Sequence, residues 1–286
     1  MRIRPAVQAD LDAMLLLAAA HQSRPEGHIG YLGVDASSIR ADVLGVERWV
    51  ERTAVVLDSG GDLAGWLLGE KDDAMNRAWW WGPFMTDGAW NHAADELYLA
   101  ADEMVDAAEQ EMAPDDRNRS AAELATRNGF RGEVASAVLS YTGLAFGASG
   151  GTTEMAREHH RAVAGLHDRL FPGTHTTGEA LVVADALRLV VVENARVVGY
   201  VAAEIHSDDS GYIDYLGVEP GLQRRGIGRR LVMEATDRLL GEGVSSVNLT
   251  VRENNAPARA LYASLNFTHE RLVRPYRKGF TLDEAT

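Results

Sequence analysis

The feature that most constrains this fold is one order of secondary structure that the sequence carries twice. Residues 193–196 separate two β-branched segments as a turn, and apolar residues at a 3.6-residue spacing define a later amphipathic helix that ends at Gly241 and Gly243. The second half therefore predicts a helix, a hairpin, a strand, an amphipathic helix, a strand, a short helix and a last extended segment, at residues 154–170, 187–204, 212–218, 228–240, 247–251, 257–265 and 267–276.

The first half repeats this order. Residues 55–66 resemble the later hairpin, and 19 positions separate Gly65 from Phe84, as they separate Gly199 from Val218. This equal spacing predicts a second hairpin followed by a second strand of the same kind.

The helices of the two halves also correspond. An acidic helix from Asp95 to Met112 is predicted where the second half has its amphipathic helix, and residues 123–130 parallel residues 260–267. From the central strand to the final phenylalanine, the first half is shorter by about three residues. The missing residues fall where the second half carries a glycine-rich loop.

Two divergent copies of one mixed α/β fold follow from this repeat, each a mixed sheet with helices on both faces. The glycine-rich stretch at residues 147–153 is predicted to be a linker, which gives domains at residues 1–146 and 147–286. Because one chain holds two copies, we expect a monomer.

The distribution of charge restricts the partners. The net charge is −14, and residues 1–143 hold 12 Lys and Arg against 24 Asp and Glu, whereas residues 144–286 hold 16 against 18. This balance argues against a nucleic-acid partner, and an anionic cofactor would meet far less repulsion in the second half. There is no cysteine, no apolar run of membrane-spanning length and no metal-ligand spacing, so we expect a cytoplasmic protein without a metal.

A short loop between a strand and a helix carries the chemistry. It reads Gln223-Arg224-Arg225-Gly226-Ile227-Gly228, and Arg229 and Arg230 follow it. Glycines let successive backbone N–H groups form a concave surface, and the helix start adds unpaired N–H groups and a positive dipole end. The loop suits a pyrophosphate, although a tight turn with solvated arginines has the same pattern.

The wider context resembles a known family. Residues 216–228, Leu-Gly-Val-Glu-Pro-Gly-Leu-Gln-Arg-Arg-Gly-Ile-Gly, resemble the acyl-CoA signature of the GNAT superfamily of N-acetyltransferases. Residues 255–262, Asn-Ala-Pro-Ala-Arg-Ala-Leu-Tyr, and Phe267 resemble that family's second element. The resemblance covers residues 150–280, and the tandem arrangement is similar to that of two-domain members such as mycothiol synthase, without assigning that substrate.

The resemblance implies acetyl-CoA as cosubstrate, bound in an opening between the strand that ends at Val218 and the strand at residues 247–251. It implies direct attack by an amine on the thioester. The residues that it implies for cofactor binding are Leu216, Gly217, Val218, Gln223, Arg224, Arg225, Gly226, Ile227, Gly228, Arg229, Asn255 and Tyr262.

The first copy departs from this pattern. Its loop positions fall near residues 89–94 without a glycine pair or an arginine, and Ala125 stands where the second copy has Tyr262. Acidic residues crowd its helix and would repel a pyrophosphate. We expect the first half not to bind CoA and to shape the substrate cleft or support the second half.

The attacking amine must lose a proton, because alkyl amines have pKa values near 10. Strand alternation places Tyr212, Asp214, Leu216 and Val218 on one face, and Asp214 is the first candidate for a base that acts through water. Glu204 and His206 are rivals, and Asp214 is equally open to a role as a hydrogen-bonded strand carboxylate.

Tyr262 is the candidate acid for the departing thiolate, since its ordinary pKa of about 10 lies near that of an alkyl thiol. The sequence thus predicts an N-acetyltransferase that acts on a primary amine of a small molecule. Acetylation of a protein or peptide amine, and acyl-CoA sensing without catalysis, remain alternatives.

Overall fold

The computed structural model describes residues 1–148, 150–206 and 208–280, which form two compact units. The first comprises residues 1–137 and 252–254 together with the segment that begins at Arg271, and the second comprises residues 138–251 and 255–270. The sequence predicts a single division after Phe146, whereas these units exchange short segments. In the described part of the chain, no helix is long and apolar enough to cross a membrane.

The first unit is built on a seven-stranded sheet in the order β1-β2-β3-β4-β5-β14-β6. Only β4 and β5 pair in parallel among its adjacent strands with a resolved register. Its elements are β1 (Arg2–Pro5), α1 (Leu11–Gln22), α2 (Ala36–Gly45), β2 (Thr53–Leu57), β3 (Leu63–Asp72), β4 (Arg77–Met85), α3 (Asp87–Val105), β5 (Glu109–Met112), α4 (Arg119–Arg127), β6 (Arg131–Gly132) and β14 (Tyr276–Lys278).

Helices cover both faces of this first sheet. Ala54 and Val56 of β2 pack in a core with α3, whereas Val55 between them packs in a second core with α1 and α2. The predicted mixed sheet with helices on both faces is confirmed here. All six tryptophans lie in this unit, and Trp66 and Trp80 are fully buried.

The second unit has the same layers around a sheet in the order β13-β7-β12-β11-β10-β9-β8. Tyr200 and Tyr215 pack against α5 and α6 on one face. A Cβ at Gly199 would meet Ile227 and Leu231 of α7 on the other. The elements are β7 (Ser136–Tyr141), β8 (Thr153–Glu154), α5 (His160–Leu170), α6 (Gly178–Val183), β9 (Leu187–Glu193), β10 (Arg196–Ile205), β11 (Gly211–Val218), α7 (Ile227–Gly241), β12 (Val247–Arg252), α8 (Ala256–Ser264) and β13 (Thr268–Val273).

The last extended segment belongs to the first sheet, which the sequence does not predict. Tyr276 pairs with Met112 of β5 and with Gly132 of β6. Arg277 donates to the buried carboxylate of Glu111 at 2.5 Å, and Lys278 donates to the Tyr98 hydroxyl at 2.8 Å. Cations from the end of the chain therefore neutralise part of the acidic first half.

The predicted acidic helix at residues 95–112 was wrong at both ends. The helix runs from Asp87 to Val105 and stops where Asp106 adopts a left-handed conformation, with φ 48°. Glu109–Met112 is strand β5, which pairs in parallel with β4. Burial of Gln110 and Glu111 in the sheet outweighs their helical preference.

The predicted linker is fixed to the second unit. The backbone N–H groups of Phe146 and Ala148 donate to the carboxylate of Asp237 on α7, at 2.6 and 2.7 Å. Gly147 and Gly150 have positive φ angles of 67° and 80°. Ser149 lies outside the described residues. The predicted helix at residues 154–170 is a regular α-helix only from His160, after a short strand and a 3-10 turn.

Candidate active site

The glycine-rich loop ends at the start of α7, as predicted. Arg224 and Gly226 have positive φ angles of 62° and 81°, and Gly226 is the residue that precedes the helix. The first helical hydrogen bond comes from Arg230 N to Gly226 O at 3.0 Å, and no described side chain caps the amides before it. The N–H groups of residues 227–229 are therefore available for an anion.

The arginines at the loop differ in their surroundings. Arg224 and Arg225 are exposed, whereas Arg229 Nη1 donates to the Ser264 hydroxyl at 2.9 Å. Arg230 Nη2 lies 3.6 Å from Glu193 Oε1, so the charge of Arg230 is paired with a carboxylate. Three cations thus remain next to the free amides, which is the environment that a diphosphate requires.

Two glycines shape the path from this loop into the sheet. A Cβ at Gly217 would lie 2.3 Å from Cε1 of Tyr200, so the Tyr200 ring fills the space beside the strand. A Cβ at Gly228 would lie 3.5 Å or more from Leu261, Leu216 and Val218, which is ordinary contact. Leu216 and Val218 consequently face the helix start, where the resemblance places the acyl carrier.

Strand β11 contains an irregularity that the sequence did not predict. Ala202 of β10 pairs with Tyr215 and Ala203 pairs with Ile213, so Asp214 between them has no partner on β10. This is a β-bulge, in which one extra residue reverses the alternation of faces. The prediction that Tyr212, Asp214, Leu216 and Val218 share a face was therefore wrong.

The packing on either side of the bulge shows the reversal. Gly211 faces Leu239 of α7, whereas Gly217 faces Tyr200, whose ring belongs to the core with α5. Strict alternation would put both glycines on one face. Tyr212 points the other way from Leu216, and its hydroxyl donates to Thr250 Oγ1 of β12 at 2.7 Å.

The sheet opens at the same place. Strands β11 and β12 pair in parallel from Gly211 and Val247 to Ile213 and Leu249, and within the described residues the pairing goes no further although both strands continue. This agrees with the V-shaped opening that the resemblance implies. Asp214 lies immediately after the last paired residue of β11.

The environment of Asp214 suits a proton acceptor. Burial, and then the nearby negative charge of Glu204, raise the pKa of its carboxyl group to about 7. A carboxylate with this pKa is half ionised at neutral pH, which is the range in which a general base works well.

Glu204 and His206, the rival bases, form an ion pair beside it. His206 Nε2 lies 3.2 Å from Glu204 Oε1, and the His206 ring stacks on Tyr212 with centroids 4.6 Å apart. Bonding to His206 lowers the pKa of Glu204, so this carboxylate is a weaker base than Asp214.

Tyr262 is 6% exposed and packs against Phe267 at a ring separation of 5.8 Å. Burial raises the pKa of its phenol to about 12, with a smaller contribution from Tyr212. Among the described residues, its hydroxyl has no hydrogen-bond partner. The hydroxyl is thus free to donate to a ligand atom.

An asparagine begins the corresponding short helix in each copy, Asn255 in the second and Asn118 in the first. Asn255 Oδ1 accepts from Ala258 N at 3.2 Å and begins α8, just as Asn118 Oδ1 accepts from Ala121 N at 3.1 Å and begins α4. Asn118, which sequence reasoning missed, lies in the copy without a phosphate loop. A capping function therefore explains Asn255, and its predicted contact with the cofactor stays a prediction.

Backbone hydrogen bonds show that Tyr262 and Ala125 occupy equivalent positions in the two copies. Phe267 N donates to Tyr262 O at 3.1 Å, and Phe130 N donates to Ala125 O at 3.0 Å. The two helices thus end with the same turn. The first copy has alanine where the second has a phenol.

In the first unit, the region that corresponds to the sheet opening of the second unit is occupied by another segment of the first unit. Beyond β5, Ile29 forms a β-bridge with Pro114, and Gly30 N donates to Ala113 O at 2.7 Å. The buried side chain of Gln22 holds this segment, since it donates to Ile29 O at 2.9 Å and accepts from Ile29 N at 2.7 Å. The helix α3 begins two residues after β4 ends, which leaves no phosphate loop.

His175 lies near the site, and apart from being a histidine it has no feature in the sequence that would have identified it. His175 lies in the loop between α5 and α6, and its ring nitrogens are 3.2 and 3.3 Å from the Tyr215 hydroxyl. The fully buried His167 fixes this loop, with Nε2 2.9 Å from Thr176 O and Nδ1 2.7 Å from the Tyr200 hydroxyl. His175 is thereby held beside the strands that carry Glu204 and Asp214.

Comparison with known proteins agrees with this geometry. The family model described as acetyltransferase (GNAT) family matches residues 159–267. A mycothiol acetyltransferase of Thermomonospora curvata is 37% identical over 75 residues, which are 26% of this chain and 25% of that protein. A [ribosomal protein bS18]-alanine N-acetyltransferase of Escherichia coli K12 is 32% identical over 90 residues, 32% of this chain and 60% of that protein. The chain thus matches between a quarter and three fifths of these relatives' lengths.

Solved structures resemble the whole chain. A GCN5-related N-acetyltransferase from Sphaerobacter thermophilus has a TM-score of 0.75 at 19% identity, covering 97% of this chain and 95% of that one. A tandem GNAT protein from the clavulanic acid biosynthesis pathway has a TM-score of 0.68 at 15% identity, covering 99% and 100%. At these identities the likeness concerns the fold, and it confirms the tandem architecture.

Proposed function

We propose that residues 159–267, which match the acetyltransferase (GNAT) family model, form a domain that transfers an acetyl group from acetyl-CoA to a primary amine of a small molecule. The observation that carries the proposal is the free helix start of α7 beside a sheet opening that holds Asp214. The mycothiol acetyltransferase relative supports a small-molecule acceptor.

The amides of residues 227–229 would bind the diphosphate of acetyl-CoA, with Arg224, Arg225 and Arg229 as counterions. The positive end of the helix strengthens such binding. Room for the acyl arm is supported by the separation of β11 from β12 beyond Ile213 and Leu249.

The reaction balances with two side chains. The amine nitrogen attacks the acetyl carbonyl carbon, and the carbon–sulfur bond breaks. Asp214 takes the first proton from the ammonium group, directly or through water, before the attack. The nitrogen loses its second proton to solvent as the amide forms, and Tyr262 gives its phenolic proton to the leaving thiolate. Both groups return to their starting states by proton exchange with solvent.

Replacement of Tyr262 by phenylalanine should lower kcat at least tenfold, because the thiolate would leave without a proton donor. The unfolding midpoint should not change, since the ring packing remains and the hydroxyl has no partner among the described residues. Stopped-assay turnover and thermal unfolding measure the two quantities. An unchanged kcat would remove the acid role from Tyr262.

The proposal is tested by release of free thiol from acetyl-CoA in the presence of small amines and of a peptide with a free N-terminal alanine. We expect turnover with small amines. The bS18-alanine N-acetyltransferase relative favours the peptide as the second candidate. Acetyl-CoA binding without turnover of any amine would contradict catalysis and indicate an acyl-CoA sensor.

For the first unit, we propose a supporting function without CoA binding. The β-bridge of Ile29 with Pro114, the missing phosphate loop and Ala125 in place of a phenol support this assignment.

A further inference from the structure

Resting on the acyl transfer proposed above, we infer that the acceptor is an amine that carries a second cationic group and no carboxylate, and that Glu204 selects it. The inference comes from the charges, the rings and the cavity around Glu204 in the second unit.

The carboxylates of Asp214 and Glu204 face the same region, and the cationic groups that act on them are histidines. The charges that act on Asp214 are Glu204 and His206, and those that act on Glu204 are His206 and His175. No lysine or arginine is among them in the described part of the chain. The groups that face the pair are Tyr212, Tyr215, His175, His206 and Asp208.

A carboxylate on the acceptor would therefore meet like charges and no guanidinium or ammonium partner. A second ammonium group would instead meet Glu204, whose side chain is 48% exposed and accessible from solvent. The surroundings thus favour diamines over amino acids.

Aromatic rings lie next to the two carboxylates. The His206 and Tyr212 rings are nearly parallel, with an angle of 18° between their planes. Tyr215 packs edge-on against Phe171, with centroids 5.2 Å apart, and His175 lies next to it. Cations are attracted to the faces of such rings. The Tyr262 hydroxyl, which has no hydrogen-bond partner among the described residues, adds one more polar group that a ligand can contact.

A cavity of about 500 Å³ has Glu204 in its lining. It is acidic, since Arg238 in its wall is already paired with Glu154 at 3.1 Å and Glu234 at 3.3 Å. Its lining includes Glu154, Asp185, Leu187, Ala203, Glu204 and Glu242. Glu204 thus contributes one of the carboxylates of an acidic space that is large enough for an ammonium group.

The selectivity should depend on the charge of His206. Burial lowers the pKa of His206, but its hydrogen bond to Glu204 and the negative charges of Glu204, Asp214 and Asp208 together raise it above its ordinary value. Protonated His206 neutralises Glu204, and neutral His206 leaves that carboxylate to the ligand. Preference for a second cation should therefore increase as the pH rises through the titration of His206, while alkyl amines stay protonated up to about pH 10.

The test compares kcat/KM for 1,5-diaminopentane, pentylamine and lysine at pH 8.5 and at pH 6. At pH 8.5 we expect diaminopentane to exceed both others at least tenfold, because one hydrogen bond between charged groups contributes about this factor. At pH 6 the advantage over pentylamine should shrink. In Glu204→Gln the ratio of diaminopentane to pentylamine should fall towards one, whereas Glu270→Gln on the far strand β13 should keep it.

Equal kcat/KM for diaminopentane and pentylamine, or a preference for lysine, would overturn this inference while leaving acetyl transfer intact. The three wild-type comparisons decide the matter even if Glu204→Gln does not fold. Failure of every amine, with acetyl-CoA still bound, would instead overturn the proposed function itself.

Discussion

Replacement of Asp214 by asparagine should lower kcat by a factor of about 10² to 10⁴, because the ammonium proton loses its acceptor. The residue lies in a β-bulge at the mouth of the sheet opening, where asparagine has nearly the same shape. Acetyl-CoA should bind the variant as it binds the wild type. Steady-state kinetics and calorimetry separate these two effects.

The pH dependence of the wild type follows from the same carboxyl group. Burial and Glu204 raise the pKa of Asp214 to about 7, so its basic form is lost as the pH falls below neutrality. We expect an acid limb in kcat with a midpoint near pH 7, which Asp214→Asn should lack. A limb that persists in the variant would assign the titration to another group.

Stability should change in the opposite direction to activity. Since the pKa of Asp214 is raised in the folded state, the folded protein binds this proton more tightly than the unfolded chain does. This contribution is complete below pH 4 and is lost as the pH rises towards about 7. Asp214→Asn should therefore gain stability relative to the wild type at pH 8. Asp209→Asn, in the exposed β10–β11 turn, is the control and should change neither quantity.

Replacement of Arg277 by methionine should destabilise the first unit by about 3 kcal/mol. Glu111 has a side chain that is 7% exposed, and the substitution leaves this carboxylate without its cation. The Tyr31 hydroxyl remains as a neutral donor to it. Urea unfolding followed by tryptophan fluorescence reports this unit alone, because all six tryptophans lie in the first half.

Arg274→Met provides the matched control in the same segment. Its partner Asp116 is 36% exposed, and Arg274 also donates to Glu133 O at 2.9 Å. We expect a loss of about 1 kcal/mol. Equal losses in the two variants would contradict the idea that burial of Glu111 makes the last strand important.

The sequence predicts the order of elements because that order follows from hydrophobic periodicity and turn residues. The hairpin of β9 and β10, the loop before α7 and the match of Tyr262 with Ala125 all depend on local patterns. These features were found within a few residues of their true positions.

The errors come from interactions distant in sequence. The β-bulge at Asp214 depends on register with β10, and β5 depends on pairing with β4. Strand β14 depends on contacts with residues more than 100 positions away, such as Arg277 with Glu111. The cations of residues 271–278, in an otherwise acidic chain, were a signal for such pairing. Asn255 was assigned by its motif, whereas its capping bond is equally well explained by helix geometry.

The central claim is that free backbone amides at the start of α7, with arginines around them, bind the diphosphate of acetyl-CoA. Calorimetry with CoA tests it most directly in the wild type, in Arg229→Glu and in Arg161→Glu, which makes the same charge change at an exposed position of α5. We predict binding by the wild type and Arg161→Glu, and at least tenfold weaker binding by Arg229→Glu, although a glutamate in the first turn favours the helix. Equal affinity in all three proteins, or no binding by any of them, would contradict the claim.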